Sequence, residues 1–132
     1  MDSVPDRPIK VVAVTPGGAA LARRLCRELP GSQCWLPRNL AAEAPGVKTY
    51  RRLSQVFQSA FRARENLVCI MAAGIVVRGI APYLRGKDLD PAVVVLDEGG
   101  QFAVSLLSGR CMLAHHADNA LTPRPGATMA RI

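Results

Sequence analysis

Apolar positions along the chain follow two rhythms, one of strands and one of helices. Ile9 to Thr15 (IKVVAVT) is a β-branched run, the mark of a strand covered on both faces. Pro16-Gly17-Gly18 breaks it, and Leu21, Ala22, Leu25, Cys26 and Leu29 then share one helical face. Pro30-Gly31 stops that helix, and Gln33 to Leu36 predicts a short second strand. The stretch through Pro37, Pro45 and Gly46 has no regular period and reads as a loop. Leu53, Val56, Phe57, Ala60 and Phe61 then repeat at helical spacing, with Arg51, Arg52, Gln55, Gln58, Arg62 and Arg64 on other faces. Asn66 to Met71 predicts a third strand. After Ala72-Ala73-Gly74, a stripe of Val76, Gly79, Ile80, Tyr83 and Leu84 predicts a helix that kinks or ends near Pro82. Ala92 to Leu96 is continuously apolar and reads as a central fourth strand. Asp97 to Gln101 is a turn, and Phe102 to Leu106 is the hairpin partner.

Strands alternating with helices predict an α/β fold, a three-layer sandwich around a mainly parallel sheet with an antiparallel edge hairpin. Right-handed crossovers put the loops after the first, third and fourth of these strands at one sheet end, where ligands of open α/β sheets bind. At 132 residues the chain makes one domain, large enough to fold without disulfide staples.

Charge narrows the partners. The net charge is +7, and most of the excess is arginine. Such a balance attracts polyanions, or only aids solubility. The basic residues are scattered and aromatics are few, so nucleic acid is not an expected partner. No apolar run approaches the roughly 20 residues of a membrane span, and no basic segment followed by an apolar stretch opens the chain. Cys26, Cys34, Cys69 and Cys111 lack paired spacing and read as reduced thiols in a cytoplasm. A metal site would need Cys111, His115 and His116 to converge. Adjacent histidines point apart on a helix, so no metal is expected.

Three loops are candidate sites. Gly17 and Gly18 lie where a strand enters a helix, as an anion cradle or as a plain tight turn. Ala73 and Gly74 open the next strand-to-helix turn, where small residues admit a bulky ligand to the backbone. Arg78 follows one turn later, to pair with a carboxylate or to stand in solvent. Asp97 and Glu98 end the central strand, as general base or as turn formers, with Gly100, Ser105, Ser108 and Gly109 nearby. No phosphate-loop, dinucleotide or serine-hydrolase signature is present.

The string from Met71-Ala72-Ala73-Gly74-Ile75-Val76-Val77-Arg78-Gly79-Ile80-Ala81-Pro82 runs through Lys87 to Asp90-Pro91-Ala92-Val93-Val94-Val95-Leu96-Asp97-Glu98-Gly99-Gly100 and ends at Ser108-Gly109. It resembles the N-terminal region of the cobalamin-biosynthesis CbiG family, the cobalt-precorrin-5A hydrolases. The resemblance implies hydrolytic opening of the cobalt-precorrin-5A δ-lactone, giving cobalt-precorrin-5B and acetaldehyde. Its substrate is an anionic cobalt corrinoid that carries its own cobalt, so no further cofactor is expected. In this setting backbone donors near Gly74 serve the oxyanion, Asp97 or Glu98 acts as base, and Arg78 and Lys87 hold carboxylates.

The sequence departs from that family after Gly109. Where the family continues Ser-Gly-His, Arg110 stands at the histidine position, and Thr122-Pro123-Arg124-Pro125-Gly126 breaks the expected helix. Residues 1–109 thus read as the family-like domain and 110–132 as an atypical tail, truncated or partly disordered. A missing C-terminal companion domain is the expected partner. The alternative reading is a non-catalytic tetrapyrrole-binding module or an inactive fragment; a generic nucleotide-binding domain lacks the phosphate loop it would need.

Overall fold

A computed structural model describes residues 8–40, 46–107 and 128–131, the last four by their backbone alone. The elements are β1 (Ile9–Ala13), α1 (Pro16–Glu28), β2 (Ser32–Pro37), β3 (Val47–Tyr50), α2 (Leu53–Ala63) and β4 (Asn66–Ile70). They continue with α3 (Ala73–Ile80), a 3₁₀ turn (Ala81–Tyr83), β5 (Val93–Leu96), β6 (Phe102–Leu107) and β7 (Thr128–Arg131). The strands form one sheet in the order β3-β2-β1-β4-β5-β6-β7. Neighbours from β3 to β5 are parallel, β5 and β6 are antiparallel, and β7 runs parallel to β6.

Alternation along the strands divides the core into two layers. On one face Leu21, Ala22 and Leu25 of α1 pack on Val11, Cys34, Val68, Ile70, Val94 and Leu96. On the other, Val56, Phe57 and Ala60 of α2 and Val76 and Ile80 of α3 pack on Val12, Leu67, Cys69, Val93 and Val95. The expected α/β architecture is present, with β3 and β7 as additional strands at the two edges. Val47–Tyr50 is brief and shows solvent Lys48 and Thr49, so it carries none of the apolar signal of a central strand.

Local chemistry fixes the helix ends. Thr15 caps α1, its Oγ1 accepting the Gly18 N–H at 3.0 Å, and Pro16 occupies a first-turn position that needs no donor. α2 ends on Arg64 in the left-handed conformation (φ 57°), after which the Glu65 N–H bonds the Ala60 carbonyl at 2.8 Å. α3 stops at Ile80 and tightens into the 3₁₀ turn that contains Pro82. Gly79 lets α3 lie against α2, because a Cβ there would sit 2.3 Å from the Phe57 ring.

Candidate functional site

β1, β4 and β5 are parallel neighbours, so the loops that leave them share one edge of the sheet, here the carboxyl edge. The chain runs outward from β1 to β2 and β3, then crosses back to β4 and on to β5. α1 covers one face, whereas α2 and α3 cover the other. The direction reverses between β1 and β4, which makes the carboxyl ends of these two strands the topological switch point at which open α/β sheets bind ligands. Gly17, Gly18, Ala73, Gly74, Asp97, Glu98 and Gly100 therefore all stand at this edge, as the sequence predicts.

Their partners differ. The Thr15 hydroxyl donates to Glu98 Oε1 while accepting from the Gly18 N–H. One hydroxyl thus joins the loops after β1 and β5, which are 83 residues apart in sequence. The anion at the start of α1 is the chain's own, with Glu98 against Gly17; a Cβ on Gly17 would come within 3.0 Å of its carboxylate. Asp97 is committed to the turn. Its Oδ1 accepts from the N–H groups of Gln101 at 2.9 Å and Phe102 at 2.7 Å, and its Oδ2 from that of Gly99 at 3.2 Å. Gly100, at φ +69°, closes that turn in a conformation that favours glycine.

The start of α3 is open. Ala72 caps it without a side-chain hydrogen bond, and no acidic residue lies in its first turn. Ala73 and Gly74 are exposed, and a Cβ on Gly74 would meet no atom within 4 Å. Unpaired donors and the positive end of the helix dipole there favour a bound anion or a developing negative charge.

Other sequence candidates fall elsewhere. Lys87 precedes β5, so it lies at the opposite, amino edge, where it lines a cleft of about 570 Å³ with Leu84, Arg85, Asp90, Leu106 and Leu107. A residue in the connection entering a parallel strand cannot share the edge from which that strand leaves, and this separates Lys87 from Gly74 and Glu98. Arg78 is exposed on α3, roughly 7 Å along the helix from its start at 1.5 Å per residue. Ser105 is buried within β6 opposite Val94, away from the edge. Ser108, Gly109, Arg110, Cys111, His115 and His116 lie outside the described residues.

Thr15 is the residue that reading the sequence misses. An N-cap threonine before Pro-Gly-Gly is visible, but nothing local announces its contact with Glu98. Among the described residues no cluster of three metal-ligating side chains is found, and no helix is long and apolar enough to cross a membrane.

Residues 55–130 match the family described as cobalamin synthesis G N-terminal. The chain is 40% identical over 122 residues, 92% of its length, to a cobalt-precorrin-5A hydrolase of Salmonella typhimurium. It is 35% identical over 103 residues to one of Priestia megaterium, covering 75% of its length. It spans about a third of those relatives, 33% and 28% of their lengths. The fold is shared with the crystal structure of a cobalamin biosynthesis protein G homolog from Sulfolobus solfataricus at a TM-score of 0.60. That likeness, at 17% sequence identity, covers 96% of this chain and 36% of the other. With more than half of its residues in the family match, and with this strand order and these relatives, the chain belongs to the cobalamin synthesis G N-terminal family.

Proposed function

We propose that this domain takes part in cobalamin biosynthesis as the N-terminal portion of a cobalt-precorrin-5A hydrolase, and that its carboxyl edge receives the corrinoid. The observation that carries the reading is 40% identity across 92% of the chain to a relative of that name. The chemistry of the carboxyl edge supports it. The substrate is a flat, cobalt-bearing macrocycle fringed with carboxylates, and it brings its own metal. The open start of α3 at Ala73 and Gly74 offers backbone N–H groups to a peripheral carboxylate or to the oxyanion formed as water adds to the lactone carbonyl. Exposed Arg78 stands further along the same helix to take a second carboxylate.

Of the two acidic candidates, Glu98 suits the base. Asp97 spends both oxygens on the turn, whereas only one Glu98 oxygen is engaged by Thr15, leaving the other to remove a proton from water. Thr15 holds that carboxylate at the start of α1. Water deprotonated by Glu98 adds to the lactone carbonyl, the ring C–O bond breaks, and the freed alkoxide takes up a proton. That hydroxyl then loses its proton as its oxygen becomes the carbonyl of acetaldehyde; the carbon–carbon bond to the ring breaks, its electron pair passes into the conjugated macrocycle, and the macrocycle takes up a proton. The remaining two thirds of the relatives' length is the natural source of a companion domain that closes over the corrinoid, and the free thiols of Cys26, Cys34 and Cys69 suit a reducing cytoplasm.

Incubating the chain anaerobically with cobalt-precorrin-5A and measuring acetaldehyde tests this directly. Acetaldehyde release with loss of the lactone is the expected result. A spectral shift without acetaldehyde would make the chain a tetrapyrrole-binding module, and neither signal would remove the reading.

A further inference from the structure

Residues 84–91 connect the 3₁₀ turn to β5 at the amino edge, and their backbone is held from several sides. Arg64 donates through Nε to the Leu89 carbonyl at 3.1 Å and through Nη2 to that of Asp88 at 3.0 Å. The Asp90 carboxylate turns back on the same loop and accepts the N–H groups of Arg85 at 2.9 Å and Gly86 at 3.2 Å. The N–H groups of Leu89 and Asp90 both reach the Gly86 carbonyl, at 3.1 and 2.9 Å. A backbone fixed in this way needs little further ordering when a ligand arrives.

The side chains of the loop present a mixed surface. Leu84 is 49% exposed and lines two adjoining clefts. The larger, of about 570 Å³, adds Arg85, Lys87, Pro91, Leu106 and Leu107. The smaller, of about 260 Å³, shares Leu84 and Arg85 and adds Phe61, Arg62 and Tyr83. Tyr83, Leu106 and Leu107 are partly buried against the core layer of α2 and α3, so the apolar lining is a margin of the core left open to solvent. The cations are unspent. Among the described residues the side chains of Arg62, Arg85 and Lys87 have no carboxylate and no hydrogen-bond acceptor as partner. Asp90 also lines the larger cleft, but backbone donors engage both of its oxygens, and Asp88 lines neither cleft. The larger volume falls in the range of roughly 300–1,000 Å³ that holds small molecules.

We propose that the larger cleft binds a small amphiphilic anion, a compact apolar ring or chain bearing one carboxylate, sulfonate or phosphate, at a site separate from the carboxyl edge. The apolar body lies against Leu84, Pro91, Leu106 and Leu107, and Arg85 and Lys87 take the acid group. Arginine offers a planar fork for two oxygens and lysine a mobile point charge. A free inorganic anion would leave the apolar lining in water, and a neutral hydrocarbon would leave both cations unused. The corrinoid is a poor occupant, because carboxylates ring its macrocycle and burying one side here would strip water from several acids for two cations. The two sites lie at opposite edges of the sheet, so either assignment can fail without the other.

The dye 8-anilinonaphthalene-1-sulfonate has this chemistry and brightens on leaving water. Titrated into the whole chain, it is expected to saturate at one equivalent and to slow hydrogen exchange in residues 84–91. Arg85→Gln combined with Lys87→Gln should weaken it about tenfold. Arg38→Gln combined with Lys48→Gln removes the same charge at exposed positions elsewhere and should leave the affinity unchanged. The uncharged analogue N-phenyl-1-naphthylamine should bind the Arg85/Lys87 variant as well as it binds the parent chain, which also shows that the cleft is intact. Equal weakening by the two double variants would reduce the effect to net charge, and saturation at several equivalents would reduce it to general apolar adsorption. Displacement of the dye by cobalt-precorrin-5A would make the cleft a corrinoid site. Dissociation of a dimer by the dye in sedimentation would make this face a contact between copies. Each of these four results would overturn the proposal.

Discussion

The two edges of the sheet use their polar residues in opposite ways. At the amino edge, Lys10 is buried with its Nζ 2.9 Å from Glu65, 3.2 Å from Ser59 Oγ and 4.8 Å from the centre of the Trp35 ring. Arg64 donates to the carbonyls of Asp88 and Leu89, and Asp90 accepts the N–H groups of Arg85 and Gly86. Asn66 accepts the Ala92 N–H from inside the sheet. Charge there is spent on holding chain segments together. At the carboxyl edge, Glu98 and the start of α3 retain hydrogen-bonding capacity that no described side chain uses. One edge is fastened, and the other keeps open donors at the start of α3 and a free acceptor on Glu98.

Substitutions at the two edges should therefore separate stability from activity. The largest effect is expected from Glu98→Gln, which keeps an acceptor for Thr15 but loses the base; acetaldehyde release should fall about 10²- to 10⁴-fold, with only a small drop in melting from the charge removed at the start of α1. Next, Lys10→Met strands Glu65 without its cation, and chemical denaturation should show a loss of about 3 kcal/mol. Corrinoid affinity of the folded fraction should be unchanged by it. Gly74→Asp places the chain's own carboxylate at the start of α3, as Glu98 already does at α1. Titration should show corrinoid binding weakened roughly fivefold at unchanged stability, because the position is open and an acid suits a helix start. The smallest effect belongs to Lys87→Ala at the amino edge, where affinity should stay within about twofold.

Much of this contrast is legible in the sequence, because it follows from chain order. β-branched runs, helical stripes and glycine turns place β1, α1, α2, β4, α3, β5 and β6, and parallel connectivity then gathers Gly17, Gly74 and Glu98 at one edge. The edge strand Val47–Tyr50 is not legible, since four residues with a half-exposed pattern between a loop and a helix resemble the loop itself. The division of labour between Asp97 and Glu98 also escapes the sequence. It depends on which carboxylate folds back on its own turn and which meets Thr15, a contact across 83 residues. Lys87 misleads for the opposite reason. It lies ten residues before Asp97 in sequence, yet β5 runs between them and carries them to opposite edges.

Hydrogen–deuterium exchange with and without cobalt-precorrin-5A tests most directly which edge receives the substrate. The amides of residues 71–76 and 97–101 should become protected while those of residues 84–91 exchange unchanged. Protection confined to residues 84–91, around the cleft that Lys87 lines, would contradict the assignment.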